Sequence, residues 1–210
     1  MTRHPLAAAV VVAGSFGVAS AAASPQELNE RARDFSKRYP GEVMMVPGPL
    51  SDYPRKTVAQ FTREADVVFH GRLVKLRTYI SEDGEQVVSD YAIRDGQLLA
   101  ARSDEAYRRA VDASKPRTVT LTGGELLLEG VQVRGASSVL CHVVDGGEYL
   151  LFLTPKRGEV EGYALYSAGI FAIEGGRVKP LHVHAEYLHK DAVDAPLAAV
   201  LEAIQAARVR

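Results

Sequence analysis

The chain has 210 residues, 47% hydrophobic and 24% charged, with a formal net charge of -1. This is the balance of a globular protein long enough to bury a sizeable core without staples. Near-neutral charge gives polyanions no footing, which argues against nucleic acid as a main ligand. The single cysteine, Cys141, excludes an internal disulfide and a CxxC-type metal site.

Residues 1–23 read as a signal peptide. Arg3 supplies a short positive start, Leu6–Val18 is apolar with small residues, and Ala19-Ser20-Ala21-Ala22-Ala23 is a cleavage zone. The apolar run is shorter than the roughly 20 residues a membrane span needs. No later run is apolar enough to span either. The expectation is a chain exported to the periplasm or the extracellular space.

From there, Ser24-Pro25-Gln26-Glu27 has the form of a capping box, and Leu28, Ala32, Phe35 and Tyr39 recur at helical spacing. A helix is expected over Pro25–Arg38, packed loosely or serving as an arm. Pro47-Gly48-Pro49 and Pro54 mark an extended connector, followed by a short helix near Thr57–Glu64. Ala65–Ile80 is the longest strand-like run. Val67, Phe69, Gly71 and Leu73 alternate on one face, then Val74, Leu76, Thr78 and Ile80 on the other. That phase change, beside Gly71, predicts a bent strand of the kind that closes a small barrel.

Asp83-Gly84 predicts a hairpin turn into a return strand over Gln86–Arg94, with Asp95-Gly96 as its end. Ser103–Ala113 reads as a capped helix. Arg117–Leu121, Leu126–Leu128, Val131–Val133, Val139–Val144, Tyr149–Thr154, Tyr163–Tyr166, Gly169–Ile173 and Arg177–Leu181 read as strands separated by glycine turns. Leu181–Tyr187 extends the last of them. Asp194 is the expected cap of a final helix with Leu197, Val200, Leu201 and Ile204 on its apolar face. Many short strands with peripheral helices predict a mainly β, antiparallel barrel. The expected organisation is a helix, connector and short helix over 24–64, a β-barrel domain over 65–190 with a helical insertion at 103–113, and a C-terminal helix over 191–210.

The phrases Glu64–Leu76 (EADVVFHGRLVKL), Gly147–Pro155 (GEYLLFLTP) and Gly169–Leu181 (GIFAIEGGRVKPL) resemble those of uncharacterised exported bacterial proteins. Those proteins in turn resemble, distantly, the OB-fold barrel of netrin-type modules and tissue inhibitors of metalloproteases. The resemblance implies a five-stranded, partly open OB-like barrel. It does not carry over the inhibitors' mechanism, which needs an N-terminal cysteine that this chain lacks.

Two constellations could carry function. Arg72, Lys75, Arg77 and Tyr79 form a basic and aromatic strip on the long strand, suited to ligand contacts. His182, His184 and Glu186 alternate along a predicted strand and could together hold a divalent metal such as zinc; a polar solvent face explains the same alternation. Cys141-His142 does not read as a nucleophile pair, because adjacent strand residues point to opposite faces. No Walker loop, dinucleotide fingerprint or HExxH motif is present. The leading expectation is an exported, non-enzymatic binding module, without cofactor, for a protein partner or an envelope glycan. The alternative is a metal-binding protein or metal-dependent enzyme built on the His-x-His-x-Glu segment.

Overall fold

A computed structural model of the chain describes residues 25–46, 55–115, 117–137, 143–156, 162–182, 189 and 191–208. The expected signal peptide, Cys141, His142, His184 and Glu186 lie outside the described residues. No described helix is long and apolar enough to cross a membrane. The protein is mainly β with few helices, and its main sheet is large, predominantly antiparallel and partly ring-like.

The chain packs as two compact units. The first comprises the described residues of 1–49 with Thr78–Ser89 and Thr122–Ser137. It contains helix α1 (Pro25–Arg38), strand β1 (Met44–Val46) and the hairpin β5 (Gly124–Leu128) and β6 (Val131–Gly135), in the sheet order β1-β6-β5. Glu129 and Gly130, both at positive φ, form the two-residue turn that joins Leu128 to its partner Val131. The helical spacing seen in the sequence becomes a buried stripe: Leu28, Ala32 and Phe35 pack on Met44, Val46, Val87, Val131 and Val133. Burying Leu28 and Phe35 contributes roughly 1.5–3 kcal/mol each. Helix α1 is therefore a wall of this core, not an arm.

The second unit comprises the described residues of 50–77, Asp90–Leu121 and 138–210. Helix α2 (Val58–Glu64) starts at a full capping box, with Thr57 and Gln60 satisfying each other's backbone N–H. Strand β2 (Val67–Ile80) and strand β3 (Val87–Ala101) follow, then helix α3 (Asp104–Val111), capped by the Ser103 hydroxyl. Strands β4 (Thr118–Thr122), β7 (Glu148–Pro155), β8 (Tyr163–Glu174), β9 (Arg177–Pro180) and β10 (Ala195–Pro196) and helix α4 (Leu197–Ala207) complete the order.

Strands run β10-β9-β8-β4-β3-β2-β7, and β7 also pairs with β8. The β4–β8 pair is parallel. Alternation then divides the side chains into two cores. Val67, Phe69, Leu73, Tyr91, Tyr149, Leu151 and Ile170 fill one face. Val68, Leu150, Phe152 and Phe171 fill the other, beneath Phe61 of α2 and Val200 and Ile204 of α4. Strand β7 is paired at both edges, by β2 and β8, and buried on both faces, with Tyr149, Leu151 and Leu153 in one core and Leu150 and Phe152 in the other, as its unbroken apolar run predicts.

Several local expectations change. Asp95-Gly96 does not end β3: Asp95 takes a left-handed φ of 52° and the strand continues to Ala101. Tyr163–Tyr166 and Gly169–Ile173 are one strand, whose pairing with β7 shifts register around Ser167, at φ 55°. Asp194 does not cap α4. Its carboxylate accepts from Arg177 Nε at 2.9 Å, and the first helical N–H, of Leu197, donates to the Gly176 carbonyl. A tertiary acceptor has replaced the local cap. Val144, the described end of the expected Val139–Val144 strand, lies outside any strand and is 67% exposed.

The two apolar phases of β2 serve different cores. Val67, Phe69 and Leu73 belong to the second unit. Thr78 and Ile80 belong to the first, where Ile80 packs beside α1 and the Thr78 hydroxyl bonds Ser89 at 2.8 Å. Between them, Leu76 is 51% exposed and buries no apolar phase.

Candidate functional site

The basic residues of β2 sit where the strand leaves its buried stretch. Up to Arg72, which lies opposite Glu148, β2 is paired with β7. Beyond that, the Lys75 N–H donates to the Asp145 carboxylate at 2.7 Å, and Lys75, Leu76 and Arg77 are all exposed. Alternation puts Lys75 and Arg77 on one face and Arg72 on the other. Tyr79, partly exposed, falls in the first unit, while the three cations fall in the second.

The cations are not equivalent. Arg77 Nε donates to Asp90 Oδ2 at 2.9 Å, and the Thr120 hydroxyl donates to Asp90 Oδ1 at 2.7 Å. Asp90 is only 5% exposed, so its carboxylate joins neighbouring strands β2, β3 and β4 and neutralises much of Arg77. Arg72 and Lys75 make no ion pair among the described residues. Arg77 and Asp90 flank the Asp83-Gly84 turn at matching distances along the hairpin, so its closure brings them together. Replacing Asp90 with Ala strands the Thr120 hydroxyl and removes Arg77's counter-charge. The expected loss is about 1–2 kcal/mol, read as a lower urea midpoint at unchanged slope. An unchanged midpoint would show that the bridge is idle.

His70, one residue from Gly71, points its Nε2 at Glu148 Oε1, 2.7 Å away. A second polar cluster joins α2 to β8. Lys56 Nζ donates to the Tyr166 hydroxyl at 2.6 Å and lies 4.8 Å from its ring centre, and both contact the Glu64 carboxylate. The hydrogen bond from Lys56, then that from Tyr166, holds the Glu64 carboxyl below its usual value. The same bonds raise Lys56. A lysine held this firmly as an ammonium is a clamp, not a nucleophile.

His182 of the expected metal set is buried and engaged in a contact; its proposed co-ligands His184 and Glu186 lie outside the described residues. Among the described residues no group of three or more His, Cys, Asp or Glu side chains is placed to hold a metal. His189 is a core residue. It is 1% exposed, with its ring 5.0 Å from those of Phe61 and Phe171. No family model matches the chain, and no curated protein or solved structure matches it either.

Proposed function

We propose that the chain is an exported, non-enzymatic binding module, with an OB-like barrel as its main body and the cationic part of β2 as its contact surface. What supports the barrel is the strand order. Strands β2, β3, β4, β8 and β7 each have two neighbours within the set, because β7 pairs with both β2 and β8. The β4–β8 pair is parallel, as the OB connectivity requires. What supports export is the basic start, apolar run and small-residue cleavage zone of residues 1–23.

The binding role rests on one observation. Arg72 and Lys75 are exposed and without a counter-ion among the described residues, one on each face of a strand whose other half is fully anchored in a core, so a partner meets both across the strand's edge. A rigid strand that presents uncompensated cations selects an acidic surface on its partner, whether protein or envelope glycan. The test is retention of envelope components and of a carboxylated polysaccharide on the immobilised chain. Replacing both Arg72 and Lys75 with Ala should weaken retention by roughly three- to tenfold at low salt. Arg77→Ala should do less, since Asp90 already holds that side chain. Retention that ignores Arg72 and Lys75 would sink this reading.

A further inference from the structure

Strand β2 keeps a neighbour after its pairing with β7 ends. Arg72 lies opposite Glu148. One residue on, the Leu73 N–H donates to the Gly147 carbonyl at 3.0 Å, and the Gly146 N–H donates to the Leu73 carbonyl at 2.7 Å. The Lys75 N–H then donates to the Asp145 carboxylate at 2.7 Å. The loop Asp145–Gly147 therefore runs antiparallel along Leu73–Lys75, within the second unit. The next residue beyond the last bond is apolar in both segments: Leu76 follows Lys75, and Val144 precedes Asp145. Leu76 is 51% exposed and Val144 is 67% exposed.

Neither stands on loose backbone. The hydroxyl of Tyr149, a core residue, accepts from the Val144 N–H at 2.7 Å and donates to the Val144 carbonyl at 3.2 Å. The Gly147 N–H donates to the same carbonyl at 3.0 Å. Leu76 is flanked within β2 by Lys75 and Arg77, which are tied to Asp145 and Asp90. Aliphatic side chains held outward on a fixed ledge lose little freedom when a partner covers them. Charge adjoins them. Arg72 shares a strand face with Leu76, and Lys75 lies on the other. The carboxylates of this stretch already meet protein groups, Asp145 the Lys75 N–H and Glu148 the His70 Nε2 at 2.7 Å. Arg72 and Lys75 make no ion pair among the described residues.

We propose that this ledge, Leu76 and Val144 with Arg72 and Lys75 beside them, is a docking surface for an acidic segment of a partner protein that carries an aliphatic side chain at its centre. The proposal rests on the binding role given above to the β2 cations and selects protein over glycan. Exposed aliphatic groups gain by covering other apolar groups. A glycan laid over them must strip water from hydroxyls that they cannot bond. A second copy of the chain would set the cations of one ledge against those of the other. An apolar contact within a polar rim is how protein partners meet.

The test uses the full chain and a fluorescein-labelled Asp-Leu-Glu-Leu-Asp peptide, read by anisotropy at low salt. Saturable binding is expected. It should weaken about fivefold or more for Leu76→Asn, for Val144→Asn and for a peptide with both leucines replaced by asparagine. Both positions are exposed, so the variants should keep the wild-type urea midpoint. Retention on polygalacturonate should ignore Leu76→Asn, whereas replacing Arg72 and Lys75 with Ala should weaken both probes. If that double replacement weakens polygalacturonate retention but the peptide does not saturate, or binds Leu76→Asn as well as wild type, the ledge proposal fails and the cationic reading stands. If the double replacement moves neither probe, both fail. Polygalacturonate retention that falls with Leu76→Asn would assign the ledge to a glycan. Self-association that Leu76→Asn removes, seen by sedimentation, would assign it to a second copy. Either result overturns the proposal.

Discussion

Stability should fall by about 3 kcal/mol as the pH drops from 6.5 to 4, and His189→Leu should remove most of that fall. The cause is geometric. The imidazole is sealed between Phe61 of α2 and Phe171 of β8. Neither ring nitrogen completes a hydrogen bond; the Ala168 backbone offers only a weak compensating contact. Burial, and then the neighbouring His182, push the imidazolium down to about 4, against which Asp191 acts weakly. Asp191 is occupied by the Val58 N–H, which donates to its Oδ2 at 2.9 Å. Among the charged groups of the packed elements, Lys56 and Glu64 of the α2 region hold each other and Tyr166 of β8, and Glu174 of β8 holds Lys179; Arg63 of α2 and Glu202 of α4 are exposed.

The sign follows from linkage. Above pH 6.5 His189 is neutral in both folded and unfolded chains and contributes no pH dependence. Between 6.5 and 4 the unfolded chain takes up a proton that the folded chain refuses, so stability is lost as pH falls. The lowered Glu64 carboxyl adds a loss of the same sign, but only below its ordinary value of 4.5. Urea midpoints at several pH values for wild type and His189→Leu measure the effect. Leucine fills a similar space without a titrating group, so its curve should be flatter through the window. Parallel curves for the two proteins would refute the assignment.

Gly71→Ala should cost about 2–3 kcal/mol, among the larger effects of adding one methyl group to this chain. An added Cβ would meet the Arg94 carbonyl oxygen at 2.9 Å, the Gly96 Cα at 3.0 Å and the Ile93 side chain at 3.1 Å. Two of those three atoms are backbone and cannot turn aside as a flexible side chain would. The glycine is required by this close approach, since the backbone of Gly71 is not left-handed. The left-handed residue stands on the partner strand, at Asp95, next to Gly96. The urea midpoint should drop while the slope is retained. Lys75→Ala, exposed on the same strand, should change stability by less than about 0.5 kcal/mol. If Gly71→Ala matched that control, β2 and β3 would have room to part.

Much of the architecture was legible because it is local. The helix over Pro25–Arg38, the Thr57 and Ser103 caps and the Glu174-Gly175-Gly176 turn depend on neighbours within a few residues. Continuous apolarity marked Tyr149–Thr154 as central; Gly71 stood out as a bend point, whereas its close approach to Arg94 and Gly96 of β3 left no trace in the local pattern. The candidate site was legible as a set of exposed cations, but not in its electrostatics. Arg77 differs from Arg72 and Lys75 only through Asp90, and that pairing depends on how the hairpin closes. His189 gave no sign of burial in its own surroundings, because the rings that enclose it come from α2 and β8.

What the sequence by itself determined is therefore the mainly β class, most element positions and the turn residues. Capping, alternation and positive-φ preferences act over one to four residues. What only the tertiary structure decided is where each face goes. The phase change in β2 stood in the sequence; that Val67–Leu73 and Ile80 enter two separate cores did not. Nor did the parallel β4–β8 pairing or the replacement of the Asp194 cap by the Gly176 carbonyl. Each of these depends on contacts between residues far apart in the chain, and hydrophobic pattern records that a face is buried without recording what buries it.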